Sequence, residues 1–348
     1  MIRTATRARP GTGMMGISHR RIILAVAAAM LIPACAPRIA PMGKPVTAPR
    51  LEAARFVAAD GVALPLRVWR PTGETRAVIV AVHGFNDYSN AFQGPAAFWA
   101  ERGIVTYAYD QRGFGGAPAT GLWPGIETLT TDLEAIAALV RERHAGLPLF
   151  ILGNSMGGAV VMVALAGGGL AGPMDGVVLV APAVWGRRFM NPLQRAALWF
   201  FAHTIPWFTL TGQGLRITPS DNIEMLRRLG KDPKIIKRTR IDTLWGLVDL
   251  MDAALAAAPR IEAPALVLYG LRDEVIPAGP TLEALGLLSR DTTKRGIYRG
   301  GYHMLLRDLK AKEAWADIAA WIADRRKPLP SGADAAAEEL LKGAAASP

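Results

Sequence analysis

Apolar positions in this 348-residue chain fall into short unbroken runs. Ala77-Val78-Ile79-Val80-Ala81-Val82 is the clearest. A run of that length without polar alternation predicts a strand buried on both faces. Ile104 to Tyr109, Leu149 to Leu152, Val177 to Val180 and Ala265 to Tyr269 repeat it, and Ile297 to Arg299 predicts a short last strand. Between them Leu129, Leu133, Ile136 and Val140 recur at helical spacing. Upstream, Arg55 to Arg70 reads as a hairpin turning at Asp60-Gly61. This alternation implies an α/β fold, with a mostly parallel central sheet flanked by helices.

The pattern breaks at 187–260, which shows no convincing strand. Trp199, Phe200, Phe201, Trp207 and Phe208 cluster near its start, and helical stretches follow. An insertion after the strand Val177–Val180 sits above the carboxyl ends of the strands, where sites in open α/β sheets lie. It is therefore expected to be a helical cap over the site, its aromatics lining the path of an apolar substrate. The division is then core at 51–186 and 261–327, cap at 187–260, and an Ala-rich flexible tail at 328–348.

The amino-terminal residues read differently. Arg3, Arg7, Arg9, Arg20 and Arg21 precede an apolar run from Ile22 to Ile32, with no acidic residue before position 35. That run has signal-peptide length and is short for a membrane span. Leu31-Ile32-Pro33-Ala34-Cys35 follows, and Cys35 is the only cysteine. This resembles the lipobox of bacterial lipoproteins: residues 1–34 would be removed and Cys35 acylated, anchoring the protein in membrane lipid on the periplasmic side of the envelope. The alternative is a soluble periplasmic protein. Four prolines, at 37, 41, 45 and 49, make 35–50 an extended linker. At ~3.1 Å per residue it spans roughly 45 Å and would hold the body off the membrane.

A single cysteine excludes an intrachain disulfide, so stability rests on core packing. The net charge of +11 is concentrated. Residues 187–240 hold eleven Lys or Arg against three Asp or Glu. No base-reading motif accompanies them, so nucleic acid is not expected as a partner. An anionic lipid surface is the functional reading of that charge. No feature specifies an oligomeric state.

The chemistry centres on Gly153-Asn154-Ser155-Met156-Gly157, between an apolar strand and a run of small residues. Strand, sharp turn and helix with serine at the apex is the nucleophile-elbow arrangement. Serine needs a base to take its proton, and the base needs an orienting acid. Of five histidines, only His303 lies beyond the last strands, after the turn Gly300-Gly301-Tyr302. Asp273 follows the strand ending at Gly270 by three residues. Glu274 beside it could serve by residue type alone. The oxyanion of an acyl-transfer intermediate needs amide donors. Met156 N–H at the helix start and Phe85 N–H, in the loop His83-Gly84-Phe85-Asn86, are the candidates, with His83 as a structural residue. No metal-ligand spacing and no phosphate-cradling loop appear, so neither metal nor cofactor is expected.

His83-Gly84, Asp110-Gln111-Arg112-Gly113-Phe114-Gly115, Asn154-Ser155-Met156-Gly157-Gly158, Gly270-Leu271-Arg272-Asp273 and Tyr302-His303 together resemble the α/β-hydrolase superfamily. The resemblance runs from about residue 52 to 325. It is to the branch of monoacylglycerol lipases and lysophospholipases grouped with serine aminopeptidases. It implies an esterase with Ser155 as nucleophile, His303 as base and Asp273 as acid, acting on acyl esters such as lysophospholipids or monoacylglycerols. It also implies that the Asp110–Gly115 loop is structural. Two positions depart: the branch usually has histidine at Asn154 and often glycine at Asn86, which alters the pocket rim. An amidase or aminopeptidase and a thioesterase remain open, as does a non-catalytic envelope lipoprotein that binds acyl chains.

Overall fold

The computed structural model describes residues 36–345 except 171, 173, 213 and 215, and excepting the side chains of 343–345. The expected signal sequence and Cys35 lie outside the described residues. The chain enters along β1 (Arg50–Leu51), β2 (Arg55–Val57) and β3 (Ala63–Trp69), an antiparallel meander. There follow β4 (Ala77–Val82), α1 (Gln93–Ala100), β5 (Ile104–Tyr109), α2 (Ile126–Arg143), β6 (Leu149–Asn154), α3 (Met156–Ala166) and β7 (Gly176–Val180). The second half of the core is β10 (Ala265–Gly270), α7 (Ala278–Leu287), β11 (Thr293–Tyr298), α8 (Ala311–Ala323) and α9 (Ala333–Ala345). Among the described residues these strands form one nine-stranded sheet, ordered β1-β2-β3-β5-β4-β6-β7-β10-β11. It is parallel from β5 to β11.

The unbroken apolar runs are explained by what lies on each side. In β4, Val78, Val80 and Val82 join a core beneath α2 and α3, while Ala77, Ile79 and Ala81 join one beneath α1 and α8. In β10, Val267 and Tyr269 face the first core, Leu266 and Leu268 the second. Each strand thus buries both of its faces, so no polar position survives to mark an alternation.

The insertion between β7 and β10 holds α4 (Pro192–Thr204), α5 (Ile223–Lys231) and α6 (Ile241–Ala257). It also holds a feature the sequence pattern does not announce, an antiparallel pair β8 (Thr209–Thr211) and β9 (Arg238–Arg240). The pair stays hidden because each strand has only three residues and little apolar content. Its register is secured by Ile241 N–H to Phe208 O at 3.0 Å and Asp242 N–H to Pro206 O at 3.1 Å.

Two expectations about the ends are corrected. The tail is not loose: α9 packs against β11, with Leu329, Ala333 and Ala337 buried in the two cores. Asp334 receives Leu329 N–H, and Glu339 pairs with Arg299. Nor does the proline-rich segment after residue 35 hang free. Its extended backbone keeps unpaired N–H groups, and these find partners on the body. Arg38 N–H reaches Asp242, Ala40 N–H reaches Trp123 O, Met42 N–H reaches Thr128, and Val46 and Thr47 N–H share Ala59 O. The strap therefore supplies no 45 Å spacer. Among the described residues no helix is long and apolar enough to cross a membrane.

Candidate active site

Ser155 is the single residue between β6 and α3. Its φ of 52° and ψ of −117° lie where L side chains rarely sit, a strain of about 1–3 kcal/mol. Neighbouring chain holds it there: Ser155 N–H donates to Val180 O at 2.9 Å, and Ser155 O accepts from Ala183 N–H at 3.0 Å. The first turn of α3 passes directly over the end of β4. A Cβ on Gly157 would lie 2.1 Å from Val82 O, so only glycine lets the helix start there.

The hydroxyl so presented meets the predicted partners. Ser155 Oγ lies 3.0 Å from His303 Nε2, and His303 Nδ1 lies 2.8 Å from Asp273 Oδ2. An ionised carboxylate only accepts, so Nδ1 carries the ring proton and Nε2 is left to accept from the serine. Asp273 Oδ1 accepts from the N–H groups of Val275 and Ile276, each at 2.8 Å, which orients the carboxylate. Glu274 instead accepts from Thr218 N–H at 2.6 Å, so of the two neighbours it is Asp273 whose carboxylate meets His303. The loops carrying Asp273 and His303 touch: Arg272 N–H donates to Gly301 O, and a Cβ on Gly270 would come within 2.4 Å of Gly301. The glycine turn before His303 is thus packed, with Gly301 against Leu305 and Tyr298.

Neither Phe85 N–H nor Met156 N–H donates to any protein group among the described residues. Met156 is the first residue of α3, where helix amides have no intrahelical partner. The Phe85 loop lies against the elbow: a Cβ on Gly84 would sit 3.3 Å from Ser155 Cβ. His83 shapes this loop. Its Nδ1–H donates to Gly84 O at 2.8 Å, and its Nε2 accepts from Gln111 N–H at 2.9 Å. Burial pushes its pKa below the ordinary histidine value, keeping it neutral. With both nitrogens engaged it is a structural residue. Gln111 closes the link by donating from Nε2 to His83 O, a role that the spacing of Asp110–Gly115 does not reveal.

Asp110 and Arg112 do not pair. Asp110 accepts from Ser89 and from Gly116 N–H, whereas Arg112 bridges Asp60 and Asp132 in a buried ion-pair cluster. Burial favours the neutral form of Asp60, but the bonds from Arg112, Gly43 N–H and Val62 N–H outweigh it and bring its pKa down to about 2. Asn86 and Asn154 each bury a side-chain oxygen without a protein partner, beside the oxyanion loop and the serine respectively. No cluster of potential metal ligands occurs among the described residues.

The cap aromatics stay half open to solvent. Trp199, Phe200, Phe201, Trp207 and Phe208 are 43–55% exposed. The reason lies in how α4 packs: it meets α6 through Ala202 and a ladder in which His203 stacks on Trp199 and meets the edge of Trp245. The other rings turn outward. The cap's edges meet the loops of the site where Asn86 O accepts from Ile236 N–H and Pro219 O from Met304 N–H. Ser155 and His303 are both buried.

Known proteins resemble this chain over most of its length. A monoacylglycerol lipase of Mycolicibacterium smegmatis is 24% identical over 77% of this chain and 95% of its own. A human monoglyceride lipase is 25% identical over 82% of this chain and 95% of its own. The crystal structure of a soluble variant of monoglyceride lipase from Saccharomyces cerevisiae superposes with a TM-score of 0.66 at 18% identity, over 83% of this chain and 99% of that one. A family profile described as serine aminopeptidase, S33 matches residues 73–310. The chain is an α/β-hydrolase and belongs to the serine aminopeptidase S33 family.

Proposed function

We propose that this serine hydrolase cleaves carboxylic esters of acyl chains, of the monoacylglycerol or lysophospholipid kind. The observation that carries the reading is the chain of hydrogen bonds from Ser155 through His303 to Asp273, beside two unpaired amides. His303 Nε2 takes the serine proton as Oγ attacks the ester carbonyl. Asp273 stabilises the imidazolium that results. The Phe85 and Met156 amides receive the oxyanion. His303 then gives its proton to the leaving alcohol, and water releases the acyl group by the same steps.

The carboxylates around the serine favour an ester over a peptide with a free amino terminus. Such a substrate needs an anion for its ammonium group. Asp273 holds His303, Glu274 holds Thr218 N–H, Asp87 pairs with Arg307, and Asp308 holds Ser220 and Tyr302 N–H. Each is committed. The unpartnered oxygens of Asn86 and Asn154 suit hydroxyl donors on a polar head group.

The same proposal puts the enzyme at a bacterial envelope membrane, anchored through acylated Cys35. The lipobox-like sequence and the outward aromatic face of the cap support this, since exposed Trp and Phe suit a lipid surface. Turnover of a graded ester series, with an aminoacyl anilide and a thioester alongside, tests the chemistry. Preference for the anilide overturns the ester reading. Mass analysis of the mature amino terminus tests the anchor, which an unmodified Cys35 overturns.

A further inference from the structure

The loop carrying His303 is gripped by the cap segment 218–222. Met304 N–H donates to Pro219 O at 2.9 Å, Asn222 Nδ2 to Arg307 O at 3.0 Å, and Leu309 N–H to Asp221 at 2.8 Å. The same segment reaches the acid loop through Thr218 N–H and Glu274. On the far side Arg307 pairs with Asp87, at the end of the oxyanion loop. One carboxylate joins these features at the base itself. Asp308 accepts from Tyr302 N–H at 2.8 Å and from the Ser220 hydroxyl at 2.6 Å. Tyr302 immediately precedes His303, and Ser220 is the fully buried member of the cap segment.

A buried carboxylate is disfavoured unless its bonds repay desolvation. Burial raises the pKa of Asp308, and the bonds from Ser220 and Tyr302 N–H oppose that. Its two oxygens divide between the cap and the backbone beside the base, which a residue serving only the core would not need to do.

We propose that Asp308 is a positioning residue that ties the alignment of His303 to the seating of the cap. The idea rests on the reading of His303 as the general base. Ser155 and His303 are buried, so an ester reaches them only past the cap edge. When segment 218–222 shifts to admit it, Asp308 loses Ser220, and the Tyr302–His303 backbone loses half of its support. The base is held for chemistry only when the cap has returned. Misplacement of a reacting group by about 1 Å can reduce rate ~10²-fold, so a partial loosening is large enough to measure.

The test uses Ser220→Ala, Ser220→Thr, Asp308→Asn and the double variant Ser220→Ala/Asp308→Asn in the full chain. Turnover of p-nitrophenyl acetate is expressed per active site, counted by exhaustive labelling with a fluorophosphonate. The expected result is a kcat per site lower by about tenfold in Ser220→Ala and in Asp308→Asn, with KM within about twofold. Ser220→Thr, which keeps the hydroxyl, stays within about twofold of wild type. The double variant falls no further than the worse single one, as residues acting through one bond must. An unchanged kcat per site in folded Ser220→Ala, with only a lower Tm, overturns the proposal. So do losses that multiply in the double variant. His303→Ala tests the underlying reading separately: retained activity there removes the base, whereas its loss beside an unaffected Ser220→Ala removes only the coupling.

Discussion

Helices α3 and α4 are similar in length, 11 and 13 residues, and have opposite surroundings. The first follows Ser155 and buries Met156, Gly157, Gly158, Ala159, Val160, Val161, Met162 and Ala164. The second opens the cap and buries only Ala202. Close packing on every side leaves α3 one position, so the serine it presents cannot wander. Few buried residues leave α4 stabilised by its capping box at Asn191 and Gln194 and by its seat on α6. Ser155 sits at the head of a helix buried along most of its length, and the surface proposed to meet a lipid aggregate lies on a helix that buries one residue.

Substitutions at these two places should differ in kind as well as size. Ser155→Ala removes the group that α3 exists to present. Activity should fall on the order of 10⁶-fold while the melting temperature stays put or rises, since elbow strain is unaffected by the hydroxyl. A folded variant retaining a tenth of wild-type turnover would mean that α3 presents something else.

Asp273→Asn comes next. Asparagine favours the wrong histidine tautomer, and kcat should drop ~10⁴-fold. Glu274→Gln, which disturbs only the bond to the cap at Thr218, should change kcat by less than about tenfold. Rates measured side by side decide the ranking, and the reverse order would move the acid to Glu274.

Packing itself is probed by Met162→Ala. Emptying that buried site should destabilise the fold by about 2–5 kcal/mol in denaturant unfolding. The smallest stability change should come from Phe200→Ala/Phe201→Ala in α4, within about 0.5 kcal/mol per site for rings that face solvent. Those two substitutions should instead weaken binding to phospholipid vesicles and slow the hydrolysis of long-chain esters presented on them. Short-chain ester turnover in solution should stay within about twofold. Equal losses on both substrates would show that the rings support the cap, and the contrast between the helices would lose its functional half.

How much of this was legible beforehand follows the same division. The sheet declared itself because strands buried on both faces leave runs such as 77–82 with no polar interruption. The three site residues declared themselves because an elbow, a strand-end acid and a late histidine are needed in that order. The cap was not legible to the same depth. Which side of α4 turns inward depends on α6, more than forty residues away, and aromatics gathered in sequence do not say which way they point. Arg112 finds Asp60 and Asp132 rather than nearby Asp110, a choice made by tertiary contact. Asp308 belongs to no motif. Its only signal was an acid five residues after His303, and nothing local distinguishes it from Glu313 on the surface. The tail misled because an alanine-rich stretch reads the same whether it frays or docks.

The strap that crosses the body before β1 sets a geometric condition on anything joined to its front. Arg38 N–H is fixed 3.4 Å from Asp242, at the start of α6, and Asp242 N–H in turn holds Pro206 O beside Trp207. Cys35 stands three positions before Arg38 in the sequence, at most about 10 Å of extended chain. Whatever is joined upstream of Arg38 therefore meets the body beside Asp242 and the Pro206–Trp207 turn of the cap. Attachment there would act as a hinge pin rather than a leash. Under the proposed anchoring the enzyme would pivot at a surface with its cap foremost, and lengthening the chain upstream of Arg38 would be the direct way to set it free.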